Sequence, residues 1–185
     1  MLRGMPWQLF KQAIGALSGR TLLLPEGPLM PIALSDLPAQ HPLVRFHALW
    51  ERLRPAAGGL PWRERFVPAE VPDLLPWLTV FERTDSPEGI DFRVRLHGSE
   101  VVALTRREWT GSCLSDHFTG REFALRVKEF ERSLQEETPM LSRGALPISG
   151  ISWELARGVF PFANRAGPPQ IFLLYAPVRG DDAGA

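Results

Sequence analysis

Residues 90–97 place an apolar side chain at every second position, and this alternation is the strongest constraint on the fold. The apolar set is Ile90, Phe92, Val94 and Leu96, and the polar set between them is Asp91, Arg93, Arg95 and His97. A period of two predicts a β-strand that buries one face. Gly98 then ends the strand, and Ser99 is a good N-cap for a short helix.

The remaining chain supplies helices and strands around this segment. Apolar residues recur at helical spacing in residues 41–54 and 120–136, and each stretch predicts an amphipathic helix. Strands are predicted at residues 78–83, 90–96, 140–146, 153–162 and 171–175, with a bulge near Gly158 where the apolar phase changes parity. Two strands, helices and then three strands predict an α+β domain, a five-stranded antiparallel sheet with helices on one face.

Several short motifs of this chain are similar to those of a known family. They are Leu49-Trp50, the Pro-rich stretch from Phe66 to Pro76, Arg95-Leu96-x-Gly98 and Thr110-Gly111. In this order they resemble the PAS superfamily, and within it a bacterial subfamily of small, stand-alone PAS-like proteins. The resemblance implies a sensory domain over residues 41–178, with a ligand cavity between the sheet and the helices that cross it.

Residues 1–40 form an extension before this domain. An apolar stripe within residues 6–19 predicts an amphipathic helix, and a Pro-rich connector follows it. Amphipathic segments beside PAS domains often pair with a second copy, so the stripe is our candidate homodimer interface: Trp7, Phe10, Ile14 and Leu17. A helix folded back on its own domain is the other interpretation. Residues 179–185 are expected to be a disordered tail.

The cavity implied by the resemblance draws on residues that the sequence places on the sheet and its covering helices. The candidate lining residues are Phe92, Val94, Leu96, Trp109, Val127, Phe130, Phe160 and Phe172. Arg95 and His97 are the nearest charged candidates, although their parity predicts the opposite face of the sheet. Aromatic residues that simply fill a core are the alternative, and both interpretations stay open here.

The sequence carries no pattern that specifies a reaction, a metal or a nucleic acid. With 21 basic and 21 acidic residues the formal charge is zero, which gives no electrostatic footprint for nucleic acid. Cys113 is the only cysteine, and the four histidines have no metal-like spacing, so we expect no cofactor and no metal. The adjacent Ser115-Asp116-His117 is expected to cap the following helix, because members of a catalytic triad converge from distant positions.

These observations predict a non-enzymatic, PAS-like sensory or adaptor domain in bacterial signalling, acting through ligand binding, protein contacts or both. No apolar run approaches about 20 residues, and no signal peptide is evident, so we expect a cytoplasmic protein without membrane insertion. A chain of 185 residues leaves no room for an output domain, so the output is expected to be a contact with a signalling partner. The alternatives are a small-molecule carrier with a permanently occupied apolar pocket and an enzyme on a similar α+β scaffold.

Overall fold

The computed structural model describes residues 29–105, 107–148 and 151–178. The strands are β1 (Met30–Pro31), β2 (Leu78–Ser86), β3 (Gly89–His97), β4 (Met140–Ile148), β5 (Ile151–Phe162) and β6 (Gln170–Pro177). The helices are α1 (Pro42–Leu53), α2 (Ser99–Thr105) and α3 (Gly120–Gln135). The amphipathic helices predicted at residues 41–54 and 120–136 and the five predicted strands are confirmed, with the usual shifts of a few residues at their ends.

All strands belong to one antiparallel sheet in the order β1-β4-β5-β6-β2-β3. The sheet therefore has six strands within the described residues, and the prediction of five was wrong. The additional strand, β1, is a two-residue piece of the Pro-rich connector that pairs with β4 at the edge. Pro31 is tolerated there because an edge strand leaves one row of its backbone groups unpaired in the sheet.

Helix α1 forms because its apolar residues repeat at helical spacing and its first turn is capped. Pro42 occupies the first turn, and the His41 Nδ1 accepts a hydrogen bond from the Leu43 backbone N–H at 3.2 Å. The buried side includes Leu43, Phe46 and Trp50, which pack on β5 and β6. The Trp50 Nε1 donates to the Pro161 carbonyl at 2.8 Å, so its one polar atom is satisfied inside the core.

Helices cover both faces of the sheet, so the prediction of helices on one face was wrong. One core cluster lies between α1 and the sheet and includes Phe46, Phe160 and Phe172. The other lies on the α3 side and includes Phe92 and Phe130. Because β5 and β6 lie between the two clusters, both of their faces are largely buried. A strand buried on both faces reads as a nearly continuous apolar run rather than as an alternation.

The sheet bulges at Arg95 and not near Gly158, where the sequence predicted it. Val80 pairs with Leu96 and Phe81 pairs with Val94, which leaves Arg95 as an extra residue in β3. The register of β5 is regular against both of its neighbours. Gly158 instead allows α1 to approach closely, because a Cβ there would overlap the side chains of Leu43 and Phe160.

The predicted dimer helix lies outside the described residues. Trp7, Phe10, Ile14 and Leu17 belong to residues 1–28, and the predicted tail, residues 179–185, also lies outside. Both assignments therefore stay predictions.

Candidate ligand site on the α3 side of the sheet

The predicted lining residues do not converge on one cavity. Phe92, Val94, Trp109, Val127 and Phe130 lie on the α3 side of the sheet. Phe160 and Phe172 lie in the other cluster, beneath α1. Phe160 was assigned to the wrong side because a bulge was predicted near Gly158 that the structure does not contain. Phe172 lies in a nearly continuous apolar run, which gives no alternation from which to assign its face.

The bulge at Arg95 also exchanges the faces of the sheet on which Leu96 and His97, at the end of β3, lie. Leu96 is 43% exposed, while His97 is 8% exposed and lies on the α3 side next to Trp109. The face predicted for each of these two residues was therefore wrong. Arg95 is exposed, with its Nε 3.9 Å from a carboxylate oxygen of Glu82.

The apolar part of the α3 side is packed core. The ring of Phe130 lies 5.2 Å from that of Phe81 and 5.1 Å from that of Phe92, measured between centroids. Aromatic rings at these distances are in direct contact. These apolar residues therefore leave no space for a ligand between them, and the polar residues of this side are the remaining candidates.

Two histidines enclose Trp109 at one end of the α3 side. The His117 ring stacks on the indole at a centroid distance of 4.0 Å, and the His97 ring lies on it at 5.5 Å. The His97 Nδ1 accepts from the Trp109 backbone N–H at 3.2 Å. The Ser112 hydroxyl donates to the Trp109 carbonyl at 2.6 Å and accepts from the His117 Nε2 at 2.6 Å. The accepting Nδ1 shows that the His97 ring is a neutral imidazole, and His117 carries a proton on its Nε2.

The four histidines all have pKa values below their usual range. Burial is the main cause for His41, His47, His97 and His117, because a charged ring is poorly solvated inside the protein. For His97 the nearby Glu108 opposes the effect of burial. Protonation of His41 would also place a proton on the Nδ1 that caps α1.

Acidification is therefore expected to destabilise the fold before the carboxylates titrate. Each folded-state histidine pKa lies below the unfolded value of about 6.5, so the unfolded chain binds more protons in this range. The stabilisation is complete above pH ~6.5 and is lost as the pH falls through the folded-state values. We expect urea denaturation to show a lower free energy of unfolding at pH 5 than at pH 7.

His41→Asn serves as the control for this pH dependence. Asparagine still offers an oxygen to the Leu43 N–H as an N-cap, but it does not titrate. The variant should therefore lose less stability than the wild type between pH 7 and pH 5. An equal loss in both proteins would contradict the assignment of His41.

A second polar group, here named the arginine cluster, consists of Arg126, Glu129, Ser142, Arg157 and Tyr175. Arg126 and Glu129 come from α3, while Ser142, Arg157 and Tyr175 form one cross-strand row on β4, β5 and β6. The Arg157 Nη1 donates to the Glu129 carboxylate at 2.6 Å. Arg157 is only 2% exposed, so the positively charged member of this ion pair is buried.

The pKa values of the two arginines are shifted in opposite directions, although burial lowers both. Burial alone would lower the pKa of Arg157, but the charge of Glu129 and the adjacent Tyr175 outweigh it and place that pKa above the usual range. Burial lowers the pKa of Arg126, and repulsion from Arg157 adds to this. The Arg126 guanidinium lies over the Phe118 ring, 4.2 Å from its centroid. Arg126, which is partly buried, is thus the less well compensated of the two cations.

Polar atoms without a hydrogen-bond partner concentrate on the α3 side. Among the described residues, the buried side-chain atoms of this side that lack one are Thr79 Oγ1, Trp109 Nε1, Arg126 Nε, Ser142 Oγ, and Arg157 Nε and Nη2. Only Gln170 Oε1 adds to this set elsewhere in the described part of the chain. Buried polar atoms nearly always have a partner, so this side has an unused capacity for hydrogen bonding.

An open groove lies beside the arginine cluster. It lies between α3, β4 and the start of β1 and has a volume of about 530 Å³. Its walls include Leu125, Lys128, Arg132 and Met140, and both Glu129 and Ser142 line it. We call it the α3–β4 groove. Glu129 and Ser142 are thus the members of the cluster that border the groove, while neither Arg126 nor Arg157 lines it.

The arginine cluster was not predicted from the sequence, although the sequence places both of its arginines on apolar faces of their elements. Arg157 shares its parity in β5 with Leu155 and Val159, which are buried on the same side. Arg126 lies four residues before Phe130 and so occupies the apolar side of α3. A charged residue at a core position is the signal of a functional or paired group.

The Ser115-Asp116-His117 segment forms no catalytic arrangement. The Asp116 carboxylate accepts from the Cys113 backbone N–H at 2.7 Å, and the side chain of His117 pairs with Ser112. Helix α3 is instead preceded by Thr119, so the prediction that this segment caps it was wrong. Within the described ranges, no three metal-ligating side chains come together, and no helix is long and apolar enough to cross a membrane.

The fold and the site together define the class of protein. A single antiparallel sheet with α2 and α3 inserted between β3 and β4 is a PAS-like α+β domain. The family model of the PAS domain matches residues 39–172, well over half of the chain, and the chain belongs to this family. Searches of curated proteins and of solved structures gave no match. Membership of the PAS family indicates a sensory or signalling domain.

Proposed function

We propose that this PAS domain is a cytoplasmic sensory domain that binds a small molecule on the α3 side of its sheet. The observation that carries the proposal is the concentration of buried, unpartnered polar atoms on that side. Leaving such atoms without partners costs about 1–3 kcal/mol each. A bound molecule with polar groups would supply the missing partners, and the α3–β4 groove offers it a route from solvent.

We also propose that the domain acts without catalysis and passes its signal through a protein contact. PAS domains are in general sensory rather than enzymatic. Ser112 lies beside His117 on the α3 side, but its hydroxyl donates to the Trp109 carbonyl and accepts from the His117 Nε2, so this histidine does not act as its base. A homodimer through Trp7, Phe10, Ile14 and Leu17 stays part of this proposal.

Native mass spectrometry of freshly purified protein tests ligand binding. We expect a small-molecule mass at one copy per chain that disappears when the same sample is denatured. Loss of this mass on dilution and buffer exchange would support a sensor, whereas retention through both would favour the carrier. A clean mass of the bare chain in the native spectrum would contradict the proposal.

The same spectra report the oligomeric state. Deletion of residues 1–19 is expected to convert a homodimer into a monomer if the apolar stripe forms the interface. A dimer that persists in the deleted chain would rule out this role for the stripe.

A further inference from the structure

The arginine cluster contains more positive than negative charge. Two guanidinium groups, those of Arg126 and Arg157, face one carboxylate, that of Glu129, which is 23% exposed at its side chain. Glu122, the other acid that attracts Arg126, is exposed to solvent. A buried charge is costly unless a counter-charge and hydrogen bonds compensate it. The cluster as it stands lacks about one negative charge.

The unpartnered atoms of the cluster are donors, or can be. The Nε of Arg126 and the Nε and Nη2 of Arg157 lack acceptors within the described part of the chain, as does the Ser142 Oγ. Arginine offers its N–H groups in a planar fork that matches the two oxygens of a carboxylate or a phosphate. A neutral ligand could accept hydrogen bonds here, but it would leave the charge uncompensated.

We propose that the arginine cluster binds the oxyanion group, a carboxylate or a phosphate, of a small molecule that enters through the α3–β4 groove. This inference rests on the proposed ligand-binding function and adds the chemical class of the ligand. Arg126 and Arg157 hold the oxyanion, and Ser142 donates from the β4 side. The apolar walls of the groove, such as Leu125 and Met140, leave room for the remainder of the molecule.

Calorimetric titration of the full chain with sodium acetate, sodium benzoate and inorganic phosphate tests the proposal, with benzamide as the neutral counterpart of benzoate. The buffer contains chloride as its only other anion. We expect at least one oxyanion to bind and benzamide to bind at least tenfold more weakly than benzoate if benzoate is that ligand. Binding of phosphate alone would identify a phosphorylated ligand, and binding of a carboxylate alone would identify an organic acid.

Arg126→Met is the key variant, because it keeps the length of the side chain and removes the charge that lacks compensation. We expect it to weaken oxyanion binding by about tenfold to a hundredfold, the loss of one charge-assisted hydrogen bond. Its midpoint of urea denaturation without ligand should be unchanged or higher, because a partly buried and poorly compensated cation is gone. If Arg126 had a purely structural role, its replacement would lower the midpoint of urea denaturation. Arg121→Met, at an exposed arginine of the same helix that does not line the groove, is the matched control and should leave binding unchanged.

The possible outcomes separate this inference from the proposed function. Equal binding of benzamide and benzoate would overturn the oxyanion assignment while leaving a ligand site in place. A neutral molecule retained in the native mass spectrum would do the same. Oxyanion binding that Arg126→Met leaves unchanged, or the absence of binding by all three anions, would also overturn it.

Discussion

Replacing Glu129 by leucine should lower the free energy of unfolding by about 3 kcal/mol. The change leaves the Arg157 guanidinium, whose side chain is 3% exposed, without the carboxylate that lies 2.6 Å from it. Arg126 remains nearby and repels it. The expected loss is at the lower end for a broken buried pair, because the side chain of Glu129 is partly exposed to solvent. Urea denaturation in chloride buffer measures it.

A double variant distinguishes a lost ion pair from a packing defect. Glu129→Leu combined with Arg157→Met replaces both charged groups by apolar ones, and such replacements are often neutral or stabilising. We therefore expect the double variant to regain most of the stability that Glu129→Leu loses. The interaction free energy from this cycle should exceed about 1 kcal/mol.

The exposed pair of Arg132 and Glu136 provides the control for this experiment. Both side chains are at least half exposed and lie four residues apart on the same helix. Glu136→Leu should change the free energy of unfolding by no more than about 0.5 kcal/mol. If Glu129→Leu costs no more than Glu136→Leu, the buried charge pair does not stabilise this fold.

The sequence predicted the elements well because their signals are local. The amphipathic stripes of α1 and α3 and the alternation before Gly98 each depend on residues close together in the chain. The family resemblance came from short motifs of the same kind, and the family match confirms it. These local signals were sufficient for the element order and for a single antiparallel sheet.

The errors share one physical cause, which is pairing between distant segments. The bulge at Arg95 exists only in the pairing of β3 with β2, and one extra residue moves each later side chain to the other face. Burial of β5 on both sides depends on α1 and α3, which are far from it in sequence. The predicted lining residues therefore belong to two different cores. Arg157 was treated as one residue of an alternating strand, and its burial was not predicted.

Gly98→Ala should be the most damaging single-methyl change in the described part of the chain, with an expected loss of about 3 kcal/mol. A Cβ at this position would lie 2.7 Å from the Leu75 carbonyl oxygen and 2.6 Å from the Pro76 carbonyl carbon, and it would overlap the Pro76 oxygen. These are backbone atoms, so no rotation of a side chain relieves the contact. The Gly98 N–H also donates to the Leu78 carbonyl at 2.9 Å, which fixes its position.

Gly167→Ala is the matched control, because its Cβ would meet no atom closer than the Asn164 Nδ2 at 3.4 Å. Its free energy of unfolding should stay within about 0.5 kcal/mol of the wild type. A loss below about 1 kcal/mol for Gly98→Ala would mean that the turn after β3 can move away from Leu75 and Pro76. A large loss of unfolding free energy would explain two of the family-like motifs together. Gly98, which follows Arg95-Leu96, and the Pro-rich stretch that ends at Pro76 form the two sides of one close contact. Such a contact constrains the fold, and the evidence for function then rests on Arg126 and Arg157, which lie outside those motifs.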